Sequence, residues 1–327
     1  MTRMEKVRWG IIGCGDVAEV KSGPAFQQLD NSMLVAVMRR NGDKAKDFAK
    51  RHKVSLWSND ADELIYHTDI DALYIATPPS THLEYALRAL EANKNVYLEK
   101  PMALTSEEAS QICKAAEQSD AKIAVAHYRR RLPAFLKVKQ LIEANVIGTV
   151  QFADIQILQP PKTDMIADTD DNWRLRPEIS GGGYFYDIAP HQIDLMYHFF
   201  GDFAEIKGCA TAYPDRSSVA HTVNGVIAFK SGIQFRGIWN FSAVEANKKD
   251  ECTIYGTEGK IVFSFYGEAV QLFTNDGMEE FTFQNPKHIQ QPMIASVNDY
   301  FLGKGSNPCS AEEGLVVMRA LQQLKGG

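Results

Sequence analysis

A glycine turn set directly after a buried strand constrains this chain more than any other feature. Val7 to Ile12 (VRWGII) is a mostly apolar run, and G-C-G-D-V-A follows at once, Gly13 to Ala18. In this G-x-G-x-x-A pattern Gly13 makes the tight turn, and Gly15 lets the backbone approach a pyrophosphate. Ala18 then lets the next helix pack closely on its strand. The helix start at Asp16 and Val17 would offer amide donors and a positive dipole end to phosphate. A second strand, Met33 to Met38 (MLVAVM), arrives at the spacing of a βαβ unit. The expectation is a dinucleotide-binding doubly wound parallel sheet.

The end of that second strand bears on which dinucleotide. NAD-preferring sites usually carry Asp or Glu there, hydrogen-bonded to the ribose 2′-OH. This chain has Met38-Arg39-Arg40-Asn41. Two guanidiniums without a carboxylate suit a 2′-phosphate through charge-assisted and stacking contacts. The plainer account is a solvated arginine pair opening the next helix. The expectation is NADP(H) as the preferred cofactor and NAD(H) as the second.

The chain then alternates strand and helix. Asp43 to Arg51 reads as a helix, and Ser58 or Asn59 would cap a short one running through Ile65. Ala72 to Ala76 reads as a strand ending in Thr77-Pro78-Pro79-Ser80-Thr81-His82. Thr77 and Pro78 would lie under the nicotinamide ribose, with His82 a cap or cofactor neighbour opening the helix Leu83 to Ala92. Val96-Tyr97-Leu98 is a fourth buried strand and runs into Glu99-Lys100-Pro101-Met102. At a strand's carboxyl end, a partly desolvated Lys beside a cofactor can exchange protons near neutrality. Glu99 and Lys100 are therefore read as cofactor neighbours, and Lys100–Pro101 as a candidate cis peptide. The plainer account makes both ordinary solvated charges. Thr105 to Glu108 signals a capped helix through Gln118, and Ile123 to Ala126 is a last short strand.

The second half opens with Tyr128 and a loop, Asp164 to Trp173, that carries Asp168, Asp170 and Asp171. Those acids read as solvated. Trp173 and Arg174 read as candidates for lining the site, an aromatic face for apolar C–H surface and a guanidinium for polar groups. Gly181-Gly182-Gly183 permits a close backbone approach, and Asp187 to Phe200 reads as a helix with Pro190 in its first turn. Asp187 and His191, spaced i, i+4, share one face. A carboxylate and an imidazole there could serve one substrate hydroxyl, or the Asp could fix the tautomer of the His. Asp194 could support His191 or face water. No third ligand at metal-site spacing accompanies the pair, so no metal is expected. Beyond Gly201 strands are expected at Val223 to Phe229, Ile233 to Phe241, Glu251 to Tyr255, Lys260 to Phe265, Ala269 to Thr274 and Glu279 to Gln284, giving with Gly148 to Leu158 six or seven antiparallel strands. Glu312 to Leu324 is a closing helix.

Composition narrows the class. Length, 327 residues, argues for two domains. They are read as residues 1–126, a dinucleotide-binding α/β domain, and 127–327, an α+β domain with a large open, mostly antiparallel sheet; the last helix could pack back on the first domain. A formal net charge of −6 gives no field for nucleic acid. The chain has no apolar run of the ~20 residues that span a bilayer. Five scattered cysteines and no room for a signal h-region before Val7 point to a reduced, cytoplasmic protein.

With G-x-G-x-x-A, ATPPSTH and YLEKP in order, followed by SGGGYFYDIAPHQID at Ser180 to Asp194, the chain resembles the Gfo/Idh/MocA oxidoreductases through nearly its whole length. E-K-P combined with G-G-G-x-x-x-D-x-x-x-H-x-x-D is the specific part. The resemblance implies a Rossmann domain and catalytic roles for Lys100, Asp187 and His191 beside the nicotinamide. It also implies a sugar, keto-sugar or polyol substrate, and homodimers or homotetramers formed through the carboxyl-terminal sheet. The chain departs from the pattern at Met38-Arg39-Arg40, which replaces the acid of NAD-preferring members, and at Tyr128, a candidate substrate contact where many relatives carry Asn. Two rival activities fit the same fold. One is a glycoside hydrolase that uses transient oxidation with a tightly held nicotinamide. The other is a non-catalytic nucleotide sensor, against which the retention of Lys100, Asp187 and His191 speaks.

Overall fold

The computed structural model describes residues 5–161, 165, 172–212 and 219–326. The chain divides into two compact units, Met1–Tyr128 with Pro286–Val316, and Arg129–Asn285 with Val317–Gly327. Residues 286–316 thus belong with the amino-terminal strands.

Six strands build the first unit: β1 (Val7–Ile12), β2 (Ser32–Met38), β3 (Leu56–Ser58), β4 (Ala72–Ile75), β5 (Asn95–Leu98) and β6 (Ile123–Val125). They run parallel in the order β3-β2-β1-β4-β5-β6, so the order reverses between β1 and β4. Every residue of β4 is buried, as expected for a parallel sheet covered on both faces. Register sets Ile12 beside Met38 and Ile75, and Ile75 beside Leu98. Gly13, Arg39, Ala76 and Glu99 therefore leave the sheet along one edge.

Three local expectations are corrected in this unit. The strand β3 sits where no strand is evident in the sequence, because three residues give too little periodicity. The short helix Ala61–Ile65 is capped by Asp60, whose side chain accepts the amide of Asp62, rather than by Ser58 or Asn59. The element after Gly15 is not a regular helix. It widens into a π-helix at Ala18–Ser22, closed by the Gly23 amide on the Ala18 carbonyl at 2.7 Å. Pro24 then starts a separate short helix, Ala25–Gln28. Pro has no N–H to continue the first ladder.

Eight strands build the second unit: β7 (Val150–Leu158), β8 (Phe203–Thr211), β9 (Thr222–Phe229), β10 (Gln234–Asn240), β11 (Lys249–Gly256), β12 (Gly259–Phe263), β13 (Ala269–Thr274) and β14 (Gly277–Thr282). Their order is β14-β13-β12-β11-β7-β10-β9-β8. All neighbours are antiparallel except β7 and β10, which run parallel. The expected count of six or seven omits β8, an edge strand with no fully buried position. Gly208 of β8 faces Gly225 of β9, and a Cβ on either would strike Leu324 of the helix Ala311–Leu324. The pair is a seat for the closing helix.

The long helix of this unit runs Tyr184–Phe200, three residues earlier than expected. Gly183, at φ +74°, turns the chain, and Phe185 and Tyr186 then bury against the sheet side. The Phe185 ring meets Trp239 edge-on at 5.3 Å, and the Trp239 indole N–H donates to Gln192 Oε1 at 3.2 Å. Pro190 therefore lies in the second turn, not the first, and leaves the Tyr186 carbonyl without its usual intrahelical donor. On the opposite sheet face Phe152 stacks on Tyr255 at 4.4 Å and Val226 is half exposed, interleaved with the Asp154–Arg236, Lys249–Glu251 and Glu205–Lys207 ion pairs. That face is mixed rather than broadly apolar.

Candidate active site

Parallel pairing gathers the motifs of the first unit. The amides of Gly13 and Cys14 both donate to the Met38 carbonyl, at 2.9 and 3.0 Å, which ties the glycine turn to the end of β2. At φ +98°, a Cβ on Gly13 would stand 2.8 Å from the Ala76 carbonyl carbon and the Thr77 nitrogen. The turn thus lies directly on the loop after β4. Gly15 is different: its φ is not left-handed, and a Cβ there meets nothing within 4 Å. Among the described residues no atom requires glycine at that position, whereas a ligand lying against the backbone would. Asp16 is exposed, and Val17, Thr77 and Pro78 are half-buried beside the same turn.

Arg39 and Arg40 follow β2. Asn41 is committed to capping the next helix, its Oδ1 accepting the Lys44 amide. Among the described residues neither arginine has an ion-pair partner, so both charges remain available. Burial pushes the Cys14 thiol up to about 11, and Arg39 pulls it the other way, which sets that guanidinium near the glycine turn.

His82 is fully buried between two loops. Its Nδ1 lies 3.0 Å from the Pro101 carbonyl and its Nε2 2.8 Å from that of Thr77. Burial lowers its pKa to about 4, against the backbone groups of Thr77, Pro101 and Met102, which favour the cation. A neutral ring has one N–H for these two acceptors. It opens the helix His82–Glu91 and braces the Thr77 and Pro101 loops together.

The Lys100–Pro101 peptide is cis, and Lys100 is half-buried. Glu99 faces inward and is 6% exposed. Its Oε1 accepts from Tyr74 Oη at 2.5 Å and Gln290 Nε2 at 2.6 Å, while Oε2 accepts the Lys100 amide at 3.1 Å. The sequence motifs mark neither Tyr74 nor Gln290 as a site residue, and nothing in HIQQPM signals a role. Tyr128 is buried at 3% exposure, at the start of a turn after β6.

In the second unit, Asp187 and His191 lie one turn apart on the helix Tyr184–Phe200. Asp187 is half-buried and His191 is 3% exposed. Asp187 Oδ2 accepts from Arg174 Nε at 2.7 Å, and the Arg174 guanidinium lies over the Trp173 ring at 4.7 Å. Arg174 is therefore anchored to Asp187 rather than free to grip hydroxyls with its Nε. Asp194 does not face water. It is 1% exposed and takes Arg130 Nε on both oxygens at 3.0 Å and Nη2 at 2.7 Å. Asp164, Asp168, Asp170 and Asp171 lie outside the described residues.

Residues 7–127 match a family model described as an oxidoreductase family with an NAD-binding Rossmann fold, and residues 135–262 match the GFO/IDH/MocA C-terminal domain. Oxidoreductase P35 of Formosa agariphila is 54% identical over 322 residues, 98% of this chain and 99% of its own. The chain belongs to the Gfo/Idh/MocA family. An NADP(+)-dependent scyllo-inositol 2-dehydrogenase of Bacillus subtilis is 28% identical over 61% of this chain and 53% of its own. A levoglucosan dehydrogenase solved with NADH and levoglucosan has the same fold, with a TM-score of 0.88 at 23% identity, covering 98% of this chain and 96% of that one.

The protein is thus an oxidoreductase of the Gfo/Idh/MocA family with a nicotinamide-dinucleotide-binding Rossmann fold. Gly15 offers a direct test of where the dinucleotide lies. Gly15→Ala should leave thermal unfolding unchanged, since the added Cβ meets nothing within 4 Å among the described residues. Dinucleotide binding, followed by nicotinamide fluorescence, should weaken by about 10- to 100-fold, the cost of forcing two groups into one volume.

Proposed function

We propose that this protein is an NADP(H)-dependent oxidoreductase moving hydride between the nicotinamide and a carbonyl or secondary alcohol of a sugar, keto-sugar or polyol. The observation that carries the reading is the row at the carboxyl ends of β1, β2, β4 and β5. The glycine turn, Arg39 and Arg40, Thr77 and Pro78, and Lys100 all follow from it. In doubly wound sheets ligands bind at this edge, where the strand order reverses.

When bound, the nicotinamide gives or takes the hydride. The chain's own residues orient the substrate and move the proton. Lys100 would stabilise the developing alkoxide and pass a proton, and His191 would serve as general acid/base. Asp187, paired with Arg174, would fix the imidazole or hold a substrate hydroxyl. The preference for NADP(H) is supported by Arg39 and Arg40, which have no carboxylate opposite them among the described residues, and by the cofactor in the name of the inositol dehydrogenase. The substrate class is supported by the names of the inositol and levoglucosan dehydrogenases.

The test is a panel of sugars, keto-sugars and polyols, followed at the nicotinamide absorbance with both cofactors. NADPH should bind about 10- to 100-fold more tightly than NADH, the worth of one or two charge-assisted contacts. Tighter binding of NADH would reverse the cofactor assignment. Glycoside cleavage without net change in nicotinamide absorbance would replace the reductase reading with the redox-assisted hydrolase.

A further inference from the structure

We infer that Gln290 is a positioning residue for Lys100, acting through the buried carboxylate of Glu99 together with Tyr74. The inference rests on the proposed role of Lys100. It adds a residue that lies beyond both matched segments, which end at residues 127 and 262.

The geometry is a closed hydrogen-bond circuit inside the first unit. An ionised carboxylate can only accept, and Glu99 is surrounded by donors. Gln290 Nε2 and Tyr74 Oη hold Oε1, and the Lys100 amide holds Oε2. Tyr97 Oη donates to Gln290 Oε1 at 3.1 Å, which orients the amide so that its NH₂ faces Glu99. Ser22 Oγ donates to Tyr74 Oη at 3.1 Å, reaching the circuit from the π-helix after the glycine turn. Tyr74 and Tyr97 stack at 5.2 Å, and burial followed by the Glu99 charge raises both phenols well above their ordinary range. They are therefore neutral donors. Cys309 and Tyr128 also act on Tyr97.

Gln290 is itself held rigidly. It is fully buried, its amide donates to the Lys21 carbonyl at 3.2 Å, and it opens onto the helix Gln291–Phe301. That helix is pinned to β1 by Trp9 Nε1 on Asn298 Oδ1 at 3.0 Å. Lys100 thus stands between two fixed points: its own amide on Glu99, and the Pro101 carbonyl against His82. A carboxylate buried this deeply stays in place only while its donors do. Removing Gln290 takes away one donor to Oε1 and leaves Tyr97 Oη without its acceptor. Glu99 is then free to turn, and the Lys100 amide loses its anchor.

Three variants of the full chain test this: Gln290→Met, Gln290→Glu and Tyr74→Phe. For Gln290→Met, kcat on the substrate found in the panel should fall by about 10- to 100-fold, as expected when a supporting contact is lost. Its Kd for NADPH should stay within about threefold of wild type, and hydrogen exchange at the Lys100 amide should quicken by about tenfold. Tyr74→Phe removes one donor with little change in volume and should move both readouts the same way, which keeps the test usable where Gln290→Met folds poorly. Gln290→Glu sets two carboxyls within contact, and such pairs share a proton. Its kcat should approach wild type in acid and fall as the shared proton leaves, with a pH profile the wild type lacks. Unchanged kcat and unchanged Lys100 amide exchange in Gln290→Met and Tyr74→Phe would overturn the inference. A fully active Lys100→Met would instead remove the role of Lys100, while the amide exchange result would still report on the circuit.

Discussion

Lys100→Met is expected to lose about 10²- to 10⁴-fold in turnover, the range for removing a positioned acid/base, while still binding NADPH. Met is close to Lys in length and keeps the half-buried stem packed, so the change removes the ammonium and little else. The backbone around it is fixed independently of that side chain. The Lys100 amide is bound to Glu99, the Pro101 carbonyl is braced by His82, and the Glu99 amide donates to the Ile75 carbonyl at 3.0 Å. The cofactor contacts proposed for the glycine turn and for Arg39 and Arg40 would come from other strands. A fluorescence titration with NADPH and a steady-state rate measurement therefore separate the two functions. A variant with kcat within about threefold of wild type would refute proton transfer by Lys100, because no other residue of the first unit is assigned it.

Much of the first unit was legible because parallel-sheet motifs are local. The glycine turn needs only a strand before it and a helical turn after it, and E-K-P needs only a strand end. Register then aligns those ends automatically. What was not legible depends on partners distant in sequence. Gln290 lies 191 positions from Glu99, and no local pattern marks an amide that completes a buried carboxylate's donors. The strand β8 has no fully buried position, and half-exposed alternation is a weak signal. The helix Tyr184–Phe200 begins three residues before Asp187, with Phe185 and Tyr186 buried in its first turn.

Asp194 shows the same limit most sharply, and it yields the largest expected stability effect. Its place on the helix, three residues past His191, invites a supporting or solvated role. Instead it forms a buried pair with Arg130, the two side chains being 1% and 2% exposed. Asp194→Ala removes the anion and leaves the guanidinium buried among like charges. Arg130, Lys139 and Arg131 already help burial to lower the pKa of His198 to about 4, with Asp194 opposing them. Breaking one side of such a pair costs about 3–5 kcal/mol. Urea unfolding of Asp194→Ala should show a loss of that size. The paired replacement Arg130→Met with Asp194→Leu should recover most of it, because it removes both desolvation costs at once. A loss below about 1 kcal/mol in the single variant would mean that water reaches the guanidinium and that the pair is not sealed.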